Sequence, residues 1–228
     1  MDNMSKAELD HKFSQIEKDF YKSSWTNNEY FDKYGYFIIK KLMDPEWVVE
    51  KPSYEVGKYH FYGSMDRFRF EPDDGQVTGS LGRYCYPPYQ DTHHEVKNII
   101  ENHIGRKLYT TYYYDRFYYN SNELARHIDR PPCEISCTYH VGSNMKKKWP
   151  LWIKTPNTYD EDGNIIEKGE DHSVVLEPGD AMIYKGCECP HWREKMPNEF
   201  FNRKQYHHQL FYHYVLQDGI RSHFAFDN

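Results

Sequence analysis

His127 and Asp129, which are separated by one residue, are the sharpest local feature of this sequence whose side chains could do metal chemistry. On an extended chain, residues i and i+2 project to the same face, so one imidazole and one carboxylate can reach the same ion. These are two of the three donors of a two-histidine, one-carboxylate site, which leaves open coordination positions on Fe(II). By itself such a pair is more often a surface histidine beside an aspartate, so the metal hypothesis needs a third ligand.

His191 is a candidate for that third ligand, and it follows Asp129 by 62 residues. The turn sequence Pro178-Gly179-Asp180 precedes an apolar segment, residues 181–184, that is predicted to be a strand. A histidine just past the end of that strand would lie at the rim of a sheet. The separation from Asp129 leaves room for several intervening strands.

The elements that must position these residues change in type near residue 106. The helices predicted from apolar spacing and caps are residues 5–22, a short helix at Asp44, and residues 91–104, which Gly105 ends. A strand is predicted at 36–39, and residues 48–90 have the Gly and Pro content of irregular chain. The later strands are predicted at 107–119, 134–141, 149–154, 173–176, 181–184 and 205–216, with an Asp-Gly hairpin signal at 162–163.

The aromatic content favours β-structure, because 22 Tyr, 13 Phe and 5 Trp occur among 228 residues. No linker, repeat or low-complexity tract divides the chain. We therefore expect one α+β, mostly β domain over residues 1–228, with a helical and irregular part over 1–106 and a strand core over 107–216. Helices should pack outside a mostly antiparallel sheet or barrel. Apolar and polar residues alternate only weakly along the predicted strands, so the pattern does not distinguish a barrel from a sandwich.

Charge and hydropathy disfavour several classes of function. The net charge is −6, which opposes generic binding to nucleic acid. No apolar run approaches the ~20 residues of a membrane helix, and the first residues lack the pattern of a secretory signal. We therefore expect a cytoplasmic protein whose five cysteines are reduced thiols.

Four parts of the sequence together resemble the Fe(II)- and 2-oxoglutarate-dependent oxygenases, particularly the prolyl-hydroxylase-like branch and its small bacterial or phage-encoded members. The resembling parts are residues 118–129, 134–139, 178–180, and 190–193 followed by 211–214. The resemblance implies a double-stranded β-helix, which is a jelly-roll or cupin-like barrel, with supporting N-terminal helices. It also implies that His127, Asp129 and His191 are the metal ligands.

The resemblance further implies a basic residue that binds the far carboxylate of 2-oxoglutarate, because a guanidinium matches a carboxylate bidentately. The sequence departs from the family pattern here, since Phe201 occupies the usual position after the distal histidine. Arg193 and Arg203 are equal rivals for this role, and counting back from the last strand places His207 or His208 there. Tyr118 resembles a family tyrosine that lines the cosubstrate pocket, and it could equally be a core aromatic.

The activity implied by the resemblance is hydroxylation coupled to conversion of 2-oxoglutarate and O2 into succinate and CO2. Fe(II) is the implied metal, and ascorbate is a candidate reductant. A protein side chain, with proline first, is the expected substrate, and an amino acid or other small molecule is the next class. The loops at 48–90 and 155–172 would form the entrance and set selectivity.

Several alternatives remain open at this point. The chain could be a non-catalytic jelly-roll binding module, or a cupin-like enzyme that uses no 2-oxoglutarate. Lys146, Lys147 and Lys148, with Trp149 and Trp152 nearby, could contact nucleic acid. Thiolates could instead hold a structural zinc ion, for which the candidate ligands are Cys133, Cys137, Cys187, Cys189 and His191.

Overall fold

The structure is a computed structural model that describes residues 26–47, 71–72, 75–202 and 204–226. The helix expected over residues 5–22 lies outside the described residues, and so do residues 48–70 of the segment expected to be irregular and Arg203.

The described residues form two α-helices, thirteen strands and four short 3-10 helices. The α-helices are α1 (Glu29–Tyr34) and α2 (Gln90–Ile104). The strands are β1 (Tyr36–Ile39), β2 (Glu71–Pro72), β3 (Leu81–Tyr84), β4 (Leu108–Tyr119), β5 (Leu124–His127), β6 (Ile135–Ser143), β7 (Leu151–Lys154), β8 (Thr158–Tyr159), β9 (Ile165–Glu167), β10 (Asp171–Val174), β11 (Ala181–Lys185), β12 (His191–Arg193) and β13 (Tyr206–Leu216). The 3-10 helices are Pro45–Trp47, Pro87–Tyr89, Pro131–Cys133 and Ser222–Phe226.

The strands form two main antiparallel sheets and one hairpin. The large sheet has the order β1-β11-β6-β13-β4-β3-β2, and the small sheet has the order β10-β7-β12-β5. β8 and β9 pair as a hairpin around the predicted Asp-Gly turn. The expected mostly-β class with few helices is confirmed. In the described part of the chain, no helix is both long and apolar enough to cross a bilayer.

Helix α2 covers one face of the large sheet, as its apolar stripe predicts. Val96, Ile100 and Ile104 are fully buried in a core cluster that includes residues of β4 and β13. Gly105 ends the helix with φ 67°, and its N–H donates to Glu101 O at 2.8 Å. The start differs from the expectation, because no side chain caps the helix and Thr92 Oγ1 instead donates to a main-chain carbonyl.

The sequence patterns missed the strands β2, β3, β5 and β12. β3 lies in the segment expected to be irregular, where Gly82 pairs with Arg116 of β4. Pairing with the edge of β4 therefore forms a strand although the local sequence has a low strand propensity. β5 lies between the strands predicted at 107–119 and 134–141, where no strand was expected, because four residues are too few to show alternation. His191 begins β12, whereas the pattern placed it just past the end of a strand.

The interior between the two sheets is unusually polar. Alternate residues of β6 and β13 face it, and they touch the small sheet through contacts such as Arg193 Nη2 donating to Gln209 Oε1 at 3.3 Å. The buried polar residues are Arg116, Ser136, Thr138, His140, Arg193, His207, Gln209 and His213. Buried polar groups are kept only where they are hydrogen-bonded or bind a ligand, so this interior is where a functional site is expected.

Candidate metal centre

His127 and His191 lie opposite each other on the adjacent antiparallel strands β5 and β12. Their ring centroids are 4.3 Å apart. Asp129 follows β5, and its main-chain N–H donates to Gly186 O at 2.8 Å. Asp129 Oδ1 lies 3.6 Å from His127 Nε2 and 3.4 Å from His191 Nε2. The structure thus brings the three predicted ligands together, with donor atoms that all lie within 4.8 Å of one another.

Both histidines are oriented by main-chain carbonyl groups. His127 Nδ1 is 2.8 Å from Ala125 O, and His191 Nδ1 is 2.9 Å from Cys189 O. A carbonyl oxygen only accepts, so each Nδ1 carries a proton and each Nε2 is the atom that a metal would bind. Two imidazole nitrogens and one carboxylate oxygen fit Fe(II) with positions left open for other ligands.

The electrostatics of the cluster keep the carboxylate charged. Burial works against the charged form of Asp129, but the charge of His191 and the imidazole of His127 beside it hold its pKa well below the usual range. Burial of His191 likewise opposes its charged form, and the neighbouring carboxylate reverses this and raises its pKa. An ionised carboxylate is the form that binds a metal, and the metal would displace any proton held on Nε2.

Ser136 and Gly186 support Asp129 from behind. Ser136 Oγ donates to Asp129 Oδ2 at 2.8 Å and lies 3.0 Å from His213 Nδ1. A Cβ atom on Gly186 would stand 2.5 Å from Asp129 Oδ2 and 2.7 Å from Ser136 Oγ, so this position accepts only glycine without a shift. Such contacts around a metal ligand fix its orientation. The sequence reasoning missed both residues, and no spacing rule points to them.

A chain of hydrogen bonds links His127 to the interior of the large sheet. Arg116 Nη2 donates to Gln76 Oε1 at 2.8 Å, and Gln76 Nε2 lies 2.9 Å from His127 Nε2. Arginine has donors only, so the oxygen of the Gln76 carboxamide must face Arg116 and its nitrogen must donate to His127. This direction agrees with the proton on His127 Nδ1. Sequence reasoning missed Arg116, although a charged pair at 115–116 inside an aromatic strand was a visible signal.

Arg193, one of the two predicted anchors for 2-oxoglutarate, lies on the same buried face of β12 as His191. It is 3% exposed, and its guanidinium lies 4.7 Å from the centroid of the Trp149 ring. Its Nη1 donates to Trp149 O at 2.6 Å and its Nη2 to Gln209. None of the described carboxylates pairs with it, and burial lowers its pKa to about 10. A buried cation of this kind is stabilised when a ligand brings a carboxylate.

Tyr118 and His207 lie deeper in the same interior. Tyr118 is fully buried, accepts a hydrogen bond from Arg116 Nη1 at 3.0 Å and packs edge-on against Trp149. His207 stacks on His140 with ring centroids 4.1 Å apart. Burial holds the pKa of His207 well below its usual value, so it is neutral and does not replace an arginine as the anchor.

Two alternatives lose support from these positions. Cys137 packs in the core cluster of the large sheet, and Cys189 Sγ lies 3.8 Å from Gly35 O, so the thiols proposed for zinc point to different places. Among the described residues, Cys133 groups with Asp129 and His213 and with none of the other cysteines. Trp149 is buried with its Nε1 donating to Glu194 O, which leaves it unable to stack on a base.

Comparison with known proteins finds similarity in structure alone. No protein-family model matches the sequence, and no curated protein matches it. The prolyl-4-hydroxylase of Pseudomonas putida is 11% identical with a TM-score of 0.50, over 81% of this chain and 95% of that chain. HygX from Streptomyces hygroscopicus, with nickel and 2-oxoglutarate bound, is 9% identical with a TM-score of 0.51, over 80% of this chain and 84% of that chain. AviO1 from Streptomyces viridochromogenes Tue57 is 12% identical with a TM-score of 0.53, over 82% of this chain and 92% of that chain.

At these identities the likeness is one of fold, and it agrees with the expectation from the sequence. The neighbours include a non-haem, α-ketoglutarate-dependent epimerase, SnoN, with a TM-score of 0.51. The chain therefore has the jelly-roll fold of the 2-oxoglutarate- and Fe(II)-dependent oxygenases.

Proposed function

We propose that this protein is an Fe(II)- and 2-oxoglutarate-dependent dioxygenase that hydroxylates a C–H bond of its substrate. The observation that carries the proposal is the convergence of His127 Nε2, His191 Nε2 and Asp129 Oδ1 on one point, with the buried cation of Arg193 two residues along β12. When bound, Fe(II) with 2-oxoglutarate and O2 supplies the oxidising chemistry, with succinate and CO2 as coproducts.

The protein's own residues would bind and orient the reactants. His127, His191 and Asp129 hold the metal, and the carbonyl groups behind the two rings keep Nε2 facing it. Arg193 is proposed to bind the far carboxylate of 2-oxoglutarate, because it is buried on the face of β12 that also carries His191. Tyr118 is proposed to line that pocket. Arg203 remains the rival anchor.

The first substrate hypothesis is a protein side chain, with proline leading, and a small molecule is the second. The prolyl hypothesis rests on the sequence resemblance and on the similar fold of a prolyl-4-hydroxylase. The small-molecule hypothesis is supported by HygX, which has the same fold and has been solved with hygromycin B bound. Ascorbate is proposed as a reductant only on the resemblance.

The test is an anaerobic titration of the metal-stripped protein with Fe(II) and then with 2-oxoglutarate. We expect the weak visible charge-transfer band of the chelated cosubstrate in the wild type and no band in Asp129→Ala. Asp171→Ala is the matched control, because Asp171 lies on β10 and pairs only weakly with Arg126 at 3.3 Å. A folded wild-type protein without the band would contradict the proposal and favour the non-catalytic binding module.

The same titration tests the anchor. Arg193→Gln should raise the concentration of 2-oxoglutarate needed for half the band by about tenfold or more, because a charge-assisted bidentate pair is lost. Arg126→Gln is the control, since Arg126 is half exposed and lies over Trp192. An unchanged titration in Arg193→Gln would instead favour Arg203.

A further inference from the structure

The loop between β12 and β13 carries two phenylalanines at its exposed tip. Phe200 and Phe201 are 81% and 97% exposed, the highest fractions among the large apolar residues that the structure describes. They occupy the two central positions of a turn, which is closed by Asn202 N–H donating to Glu199 O at 2.7 Å. Turns favour Gly, Pro, Asn, Asp or Ser, so neither burial nor turn chemistry explains the two rings.

Hydrogen bonds hold this turn against the loop between β6 and β7. Glu199 Oε1 accepts from the main-chain N–H groups of Lys146 and Lys147, both at 2.7 Å. The side chain of Gln205, which is 1% exposed, supports the turn with both ends of its carboxamide. Its Oε1 accepts from the Glu199 N–H at 2.9 Å, and its Nε2 donates to Pro197 O at 3.0 Å. The two rings therefore stand in solvent on an ordered loop, which lowers the entropy cost of binding a partner.

The two joined loops are basic, in contrast with the chain as a whole. Residues 144–148 and 194–204 contain six basic and two acidic residues, so they carry a net charge of +4 in a chain whose net charge is −6. The charge is still +3 when Glu177, which pairs with Lys148, is included. The five lysines of these segments are exposed. The basic residues are Lys146, Lys147, Lys148, Lys195, Arg203 and Lys204.

An apolar tip with basic residues around it matches the surface of an anionic bilayer, where aromatic rings enter the headgroup boundary and lysines meet phosphates. The geometry suits a nucleic acid less well. The ring planes of Phe200 and Phe201 stand at 89° to each other, so at most one of them can stack on a base in a run of parallel bases. A protein partner would need a groove shaped to this tip, whereas a bilayer accepts any apolar projection.

We propose that Phe200, Phe201 and the exposed lysines around them bind the surface of a membrane that contains anionic lipids. The two rings and the basic loops supply two signals, apolar insertion and charge, which stable attachment of a peripheral protein requires. The patch lies at the Tyr206 end of β13. His213, which lies 3.0 Å from the Ser136 Oγ behind Asp129, is seven residues further along that strand, or roughly 20 Å away. Membrane binding is therefore separate from the candidate metal centre.

The first experiment measures sedimentation of the full-length chain with vesicles of phosphatidylcholine, with and without phosphatidylserine. We expect binding to the vesicles that contain phosphatidylserine, and weaker binding as the salt concentration rises. Replacing both rings, in Phe200→Ala with Phe201→Ala, should weaken binding about tenfold for each ring. Lys146→Gln with Lys195→Gln should weaken it about tenfold or more.

The matched controls remove the same groups from other exposed positions. Ile165 and Ile166 on the β8–β9 hairpin are 48% and 67% exposed, and their double replacement by alanine should leave vesicle binding unchanged. Lys33→Gln with Lys168→Gln, at two exposed lysines outside the patch, should do the same. Wild-type protein that does not sediment with anionic vesicles, or phenylalanine variants that bind them as the wild type does, would overturn the proposal.

The second experiment separates a bilayer from the other anionic or apolar partners. Light scattering without lipid should give the same mass for the wild type and the double phenylalanine variant, and a lower mass in the variant would show instead that the rings bind a second copy of this chain. Polyglutamate and a single-stranded oligonucleotide should not displace the protein from the vesicles. Displacement by either would overturn the proposal in favour of an acidic protein or a nucleic acid. None of these measurements uses iron, so they stand whether or not the oxygenase proposal does.

Discussion

Replacing Gly186 with alanine should pull Asp129 away from the metal position without unfolding the protein. The added Cβ would lie 2.3 Å from Cys133 O, 2.5 Å from Asp129 Oδ2 and 2.7 Å from Ser136 Oγ. All three distances are shorter than any normal contact between a carbon and an oxygen. The Cys133 oxygen belongs to the main chain and yields little, so residue 186 itself has to shift together with the two side chains, and one of these is the proposed metal ligand Asp129.

The size of the effect follows from these contacts. Overpacking of a buried site costs about 1–3 kcal/mol of unfolding free energy. Loss of the support behind a metal ligand lowers metal affinity by about 10- to 100-fold, which corresponds to about 1.4–2.7 kcal/mol. Gly186→Ala should therefore show both effects, whereas Ser136→Ala should lower mainly the metal affinity, because it removes a donor and adds no atom.

The assay is a pair of measurements on each variant. Urea unfolding of the metal-free protein gives the stability, and titration with Co(II), followed by its visible absorption, gives the metal affinity. Gly142→Ala is the matched control, because a Cβ on Gly142 of β6 meets nothing within 4 Å. If Gly186→Ala bound Co(II) as tightly as Gly142→Ala does, the inference that Gly186 and Ser136 hold Asp129 in place would be wrong.

Two further predictions concern stability. Asp115→Asn should lower the free energy of unfolding in urea by about 3–5 kcal/mol, because it breaks a fully buried bidentate pair with Arg83 at 3.0 and 2.9 Å. Asp171→Asn, at an exposed position, should lower it by less than about 1 kcal/mol. Similar losses in the two variants would show that burial of the Asp115–Arg83 pair does not increase its contribution to stability. Burial alone would raise the pKa of Glu101, but bonds from Lys107, Lys97 and the Leu108 N–H lower it to about 2. The resulting stability, up to about 3 kcal/mol, is present above pH ~4.5 and is lost as pH falls toward 2. The stabilities of wild type and Glu101→Gln, measured by acid unfolding, should therefore converge near pH 2. Curves that stayed parallel would contradict the stabilising role of these bonds to Glu101.

Local spacing was sufficient to predict the parts of this protein that depend on neighbours in the chain. The apolar stripe of residues 91–104 and the glycine after it predicted α2, and the Asp-Gly turn predicted the β8–β9 hairpin. The pair His127 and Asp129 was readable because i and i+2 share a face on extended chain. The resemblance of the segments around them implied the oxygenase fold, which the structure comparison confirms.

Strand pairing decided the features that the sequence patterns left open or missed. β3 and β5 are too short or too rich in glycine to show a period, so only their partners in the sheets reveal them. Arg116 looked like any charged residue in an aromatic strand, and Gln76 lay in a segment expected to be irregular. Their bond across 40 positions of the chain exists because β4 turns Arg116 inward, toward Gln76.

The sequence by itself therefore determined which atoms could bind a metal, because the types of the residues and their spacing along the chain fix the donor atoms and the short-range periodicity. Only the tertiary structure decided that His191 lies opposite His127, that Gly186 lies behind Asp129, and that a second arginine stands beside the centre. The physical reason is that a register shift of one residue turns every side chain of a strand to the other face, and register is fixed by packing over the whole sheet.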